Sequence, residues 1–173
     1  AIGKKTIEVR KTRPRIETPF KCYVYCTKSK FDVTECLRNN LHYDDTTLMV
    51  NDGRGKVIGE FVCNMVDIVA SIRTPCMDYI TVNDKRNTHF SDISCLNVDE
   101  LGKHLGFNKD GYGWHISDLK IYDMPRELRE FKKSNRDCFY ADLGLAKRDC
   151  PDCKNSGCFL KRAPQSWCYV EED

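Results

Sequence analysis

Near the start of the chain, apolar Ile7 and Val9 alternate with polar Thr6, Glu8 and Arg10. A period of two is that of a half-buried strand, so the apolar pair points inward and Thr6, Glu8 and Arg10 share the opposite face. Phe20 to Thr27 (FKCYVYCT) is dense in aromatic and β-branched residues and reads as a buried strand, with Pro14 and Pro19 bracketing the connection. After a polar, loop-like stretch from Lys28 to Asp45, the segments Thr46 to Val50 and Lys56 to Val69 flank Asn51-Asp52-Gly53-Arg54-Gly55. Glycine and Asn/Asp tolerate the positive φ of a tight reversal, so a β-hairpin is expected, its long second arm bending near Gly59.

From Ser71 to Cys95 the pattern weakens, which predicts a surface insertion with short irregular elements. Asn97 then suits a helix N-cap, Asp99 and Glu100 suit the positive end of the helix dipole, and Gly106 suits the end. Gly111 to Gly113 lead into a strand from Trp114 to Tyr122, with Trp114 and Ile116 expected inside, Leu119 and Ile121 as further core candidates, and His115 on the other face. Pro125 is expected to open a short helical turn through Phe131. Several strands with few helices predict an α+β domain organised as a small β-barrel.

At 173 residues the chain is long enough for one domain with a sizeable core. No apolar run approaches the roughly 20 residues that span a bilayer, so no membrane partner is expected. The net charge of +2 is too small to attract polyanions by bulk charge. A local patch does exist: Lys4, Lys5, Arg10, Lys11, Arg13 and Arg15 are opposed within that segment by Glu8 alone. Eleven cysteines, an odd number at irregular spacing, fit a disulfide framework poorly and point to reduced thiols and a cytoplasmic address. Cys22, Cys26 and Cys63 lie among apolar neighbours, where cysteine acts as a small hydrophobe.

Four segments carry a family resemblance: GKKTIEVRK (Gly3 to Lys11), GKVIGEF (Gly55 to Phe61), WHISDLKIYD (Trp114 to Asp123) and PQSWCYVEE (Pro164 to Glu172). In this order they resemble the activating-signal-cointegrator homology (ASCH) family of the PUA-like fold. The resemblance implies a PUA-like β-barrel with a few flanking helices, interrupted by an insertion at 71–95 and a cysteine-rich one at 137–161. Family members carry a strand and a helix before the GKK motif, so a preceding segment is expected. The family's cleft is proposed to bind single-stranded RNA or a modified nucleoside, and the resemblance puts Lys4, Lys5, Thr6, Glu8, Arg10, Trp114, His115, Ser166 and Trp167 around it. Lys4, Lys5 and Arg10 suit phosphate, and Trp114, Tyr112 or Trp167 suit a stacked base.

One bacterial branch of the family hydrolyses N4-acetylcytidine with a motif like G-[RK]-K-T-x-T-x-R. Lys5 and Arg10 match it, and Thr6 matches its first threonine, but Glu8 stands where the second threonine should be. The hydroxyl nucleophile is therefore missing. A small amidohydrolase acting on an acetylated nucleoside, or an RNA-processing enzyme, is the alternative, with Glu8 as general base and Lys5 polarising a carbonyl.

A second constellation is Cys150, Cys153 and Cys158, with Cys168 or Cys138 as a further ligand. A CxxC turn brings two thiolates to one tetrahedral ion, so a structural zinc is the candidate cofactor, weighed against ordinary thiols in an insertion. His89, His104 and His115 lack ligand spacing, and His115 is the candidate for acid–base work in the cleft. Neither a Walker A loop nor a GxGxxG fingerprint occurs.

Overall fold

A computed structural model describes residues 4–27, 53–134 and 158–171 of the chain. Among these residues six strands, β1 (Ile7–Arg10), β2 (Phe20–Tyr25), β3 (Lys56–Arg73), β4 (Asp78–Val82), β5 (Lys85–Arg86) and β6 (Asp110–Glu127), accompany two helices, α1 (Phe90–Ser94) and α2 (Val98–Leu105), in an α+β arrangement. The strands form one sheet in the order β1-β6-β3-β4-β5, with β2 added onto β3. Strand β1 pairs with β6, β3 with β4 and β4 with β5, each antiparallel. Because that order has two ends, the sheet is open among the described residues, where the sequence led us to expect a closed barrel. No described helix is long and apolar enough to cross a membrane.

The chain divides into two compact units, residues 1–23 with 60–121 and residues 24–59 with 122–173, and β3 and β6 each run through both. In the first unit the core is built from Ile7, Val9, Val69, Ile80, Phe90, Leu101 and Leu105, with Val82, Ile93, Leu96 and Val98 packed against it. Gly113 allows close packing there. A side chain at that position would start 3.1 Å from the Ile7 methyl and 3.3 Å from Val69.

The stretch from Ser71 to Cys95 is no bare excursion. It holds the end of β3, a β4–β5 hairpin and α1, and it delivers Ile80 and Phe90 to the core. The hairpin turns on Asn83 and Asp84, at φ 47° and 64°, which is the backbone of a two-residue type I′ reversal. Ser71 is fully buried and donates its hydroxyl hydrogen to the Val98 carbonyl at 2.8 Å, tying β3 to α2. Arg73 completes the junction, reaching Asp78 at 2.8 Å and Asp99 at 2.7 Å while its guanidinium lies 3.4 Å from the centroid of the Phe107 ring.

Helix α2 starts and stops where its sequence says. Asn97 accepts from the Glu100 amide and the Glu100 carboxylate accepts from the Asn97 amide, each at 2.9 Å, and Gly106 at φ 96° ends the helix. Asn97→Ala is expected to cost about 1 kcal/mol, read as a lower urea midpoint, with Asn97→Asp close to wild type.

Other expectations shift. Strand β2 is half-buried except at exposed Lys21, and β3 extends past Val69 to Arg73. The expected first hairpin arm at 46–50, with Asn51 and Asp52, lies outside the described residues; the turn through Gly53, Arg54 and Gly55 is present, Gly55 at φ 79°. Trp114 is buried, Ile116 half-buried, but Leu119 and Ile121 are exposed. Leu119 and Ile121 are out of phase with Trp114 and Ile116, so a strict period of two does not bury all four, and Asp118, in the left-handed region at φ 49° between the two pairs, does not bring the second pair inside. Pro125 lies inside β6, and the short helical turn, a single 3-10 turn, begins only at Leu128.

In the second unit, Phe131 is buried and the segment from it to Ser134 is flanked on two sides. The Leu160 amide donates to the Phe131 carbonyl at 2.8 Å, and the Glu171 amide donates to the Lys132 carbonyl at 2.9 Å. Bridges pair Lys132 with Phe159 and Lys133 with Val170.

Candidate binding site

Among the described residues β1 is an end strand of the sheet, and its register against β6 sets Glu8 opposite Trp114 and Arg10 opposite Tyr112. Residues directly opposite share a face, so the polar face of β1 and these two aromatics look the same way. The Glu8 carboxylate is held from both sides: Lys5 Nζ lies 2.7 Å from Oε2 and an Arg10 guanidinium nitrogen 3.0 Å from Oε1. All three side chains are partly exposed, so each pair contributes at most about 1 kcal/mol to stability. An ionised carboxyl offers about four lone pairs, so each oxygen keeps acceptor capacity beyond these two ion pairs.

Behind the clamp lies an apolar wall. Trp114 is 6% exposed and meets the Phe20 ring edge-on, centroids 5.5 Å apart. That burial corrects the expectation that Trp114 stacks on a ligand; Tyr112, half-buried opposite Arg10, is the aromatic better placed for it. Cys22 is close enough to feel both Arg10 and Glu8, and burial, with the neighbouring Cys63 next in weight, pushes its thiol from an ordinary 9.0 up to about 12. Cys63 is fully buried, its thiol donates to the Met65 carbonyl at 3.3 Å, and burial raises it as well. Both behave as small hydrophobes. Cys22 is therefore expected to resist alkylation at neutral pH, under conditions in which exposed Cys76 is modified, as read by mass spectrometry of native protein. The stability sign follows from the same shift. The folded state keeps a proton that the unfolded chain releases near 9.0, so this contribution is intact below that pH and is lost as pH rises toward about 12, a slope that Cys22→Ala should flatten.

The basic segment continues into a groove of ≈ 560 Å³ formed by residues 13–18 with Met65 and Val66. Arg13 and Arg15 contribute positive charge against the one carboxylate of Glu17, and Ile16, Met65 and Val66 contribute apolar surface. Lys4 and Thr6 are exposed at the head of the same segment, where the Thr6 amide donates to the Ile93 carbonyl at 2.8 Å and the Thr6 carbonyl accepts from Ile116 at 2.8 Å.

His115 falls opposite Ile7, on the other side of β1 from Glu8. Its Nε2 lies 2.7 Å from Asp67 Oδ2, the two side chains 27% and 13% exposed. The other Asp67 oxygen accepts from Asn83 Nδ2 at 2.9 Å, and Asn83 Oδ1 accepts from the Ile68 amide at 2.9 Å. This chain of contacts anchors the β4–β5 turn to β3 and orients the imidazole. Nothing in the sequence links positions so far apart; only strand pairing does.

Ser166 and Trp167 belong to the second unit, where Ser166 is exposed and Trp167 packs edge-on to Tyr169 at 5.0 Å. Of the candidate zinc ligands, Cys138, Cys150 and Cys153 lie outside the described residues. Cys158 and Cys168, both half-buried, sit on the two segments that flank 131–134. Among the described residues no group of three or more His, Cys, Asp or Glu side chains is gathered to hold a metal. Compared with family models, with curated proteins and with solved structures, the chain shows no match in any of the three.

Proposed function

We propose that the chain is an RNA- or modified-nucleoside-binding module of the ASCH, PUA-like type, using the polar face of β1 and the basic groove that follows it. The observation that carries this is the Lys5–Glu8–Arg10 clamp on an end strand, continued by Arg13 and Arg15 beside an apolar floor. Cations grip phosphate, while a carboxylate fixed between two of them offers acceptors to the amino edge of an unpaired base. Tyr112 lies opposite Arg10 and suits a stacked ring. A cytoplasmic address, proposed from the cysteine usage, agrees with such a ligand.

Amide hydrolysis is the weaker reading, because no hydroxyl stands at position 8 and both Glu8 oxygens already face cations. Binding is tested by titrating wild type, Lys5→Ala and Glu8→Gln with short single-stranded RNAs and a panel of modified nucleosides, following product in the same tubes. Salt-sensitive RNA binding weakened in Lys5→Ala, without product, is the expected result. Turnover of an acetylated nucleoside that requires Glu8 would replace binding with catalysis, and absence of any binding would end both.

A further inference from the structure

The second unit contains a groove that the β1 site does not use. Its volume is ≈ 470 Å³, and its walls include Tyr25, Gly55, Glu127, Arg129, Lys161 and Arg162. Cavities of a few hundred Å³ suit a ligand about the size of a nucleotide. Three cations, from segments far apart in sequence, face this space, and all three are exposed.

The carboxylates at hand are engaged elsewhere. Glu127, the sole acid of the lining among the described residues, has Oε1 3.2 Å from Lys56 Nζ and accepts the Glu130 amide in a reciprocal capping box. Glu130 accepts from the Glu127 amide at 2.7 Å and from Arg126 at 3.2 Å, and these contacts, the amide foremost, hold its carboxyl below the usual range. Among the described residues the lining therefore carries an excess of positive charge. Two planar guanidinium forks and one ammonium match a phosphate, which accepts bidentate pairs from arginine and a point charge from lysine. Tyr25, half-buried at the end of β2, adds an aromatic surface beside them.

We propose that Arg129, Lys161 and Arg162 form a phosphate-binding site for a nucleotide, with Tyr25 packing on its base. The site stands on residues of the second unit alone and does not rest on the reading of β1. Its probe is uridine 5′-monophosphate, titrated calorimetrically into the full chain, with uridine and inorganic phosphate alongside. Saturable binding of the monophosphate is expected, at least tenfold weaker for uridine and at least tenfold weaker in Arg129→Gln/Lys161→Gln/Arg162→Gln. Tyr25→Leu should weaken the monophosphate and leave inorganic phosphate unchanged, and Arg162→Lys should fall between wild type and the triple variant.

The Lys5→Gln/Arg10→Gln/Arg13→Gln variant should keep its affinity for the monophosphate, so failure here and failure of the β1 reading are told apart. Competition by an oligouridylate with hydroxyls at both ends assigns the phosphate to a strand's backbone; lack of competition assigns it to a free nucleotide; the site stands in either case. Equal affinity for uridine and its monophosphate, undiminished binding by a triple variant whose unfolding midpoint is that of wild type, or no saturation at millimolar monophosphate would each overturn the proposal.

Discussion

Phe90→Ala should lower the unfolding free energy by about 3–5 kcal/mol, the range for truncating a fully buried phenylalanine. The ring lies over the β6 backbone, 3.8 Å from where a side chain at Gly113 would begin, among Ile7, Val69, Ile80, Leu101 and Leu105. Elements on every side of it are held by the sheet or by the α2 cap, so the cavity has little freedom to collapse, and the cost should fall in the upper part of that range. Domains of this size are stable by only about 5–15 kcal/mol, so the variant is expected to be partly unfolded at 37 °C. Urea titration reads the effect as a lower midpoint at unchanged slope. Met124→Ala, at an 81% exposed position, is the control and should shift stability by no more than about 0.5 kcal/mol. A Phe90→Ala loss below about 1 kcal/mol would mean that residues 71–95 do not support the core as described.

The second large effect concerns RNA. If Lys5, Arg10, Arg13 and Arg15 neutralise four phosphates of a single strand, log affinity falls with log salt at a slope of about −2.8, roughly a 50-fold loss between 50 and 200 mM. Lys5→Gln/Arg10→Gln/Arg13→Gln leaves one of the four, so its slope should shrink to about −0.7. Because these side chains are partly or fully exposed and their ion pairs weak, the variant should unfold near the wild-type midpoint, which separates lost binding from lost structure. Titration at several salt concentrations checks both numbers. Wild-type affinity independent of salt would point to capture of a neutral nucleoside instead of phosphate.

Much of the local structure was legible in the chain. The alternation of Ile7 and Val9 with Glu8 and Arg10 is a local property of a strand, and the burial of the first pair follows it residue by residue. Asn97 and Gly106 bound α2 because capping needs only neighbours in sequence. Asn83-Asp84 carried a turn signal of the same kind, and reading the whole of 71–95 as irregular passed over it. Leu119 and Ile121 are core candidates by their apolar character alone; they are out of phase with Trp114 and Ile116, and they end on the surface.

The candidate site divides along the same line. That Glu8 and Arg10 project together follows from alternation alone, since residues on one strand face share a direction, whereas Lys5, an odd position ahead of β1, reaches Glu8 only through the fold. Tertiary contacts alone bring Phe20 against Trp114, His115 to Asp67, and Arg129 into a groove with Lys161 and Arg162. The physical reason is range: dihedral preference and side-chain alternation act over a few residues, whereas those three meetings depend on which strands pair and in what register, a choice made by the burial of the whole core.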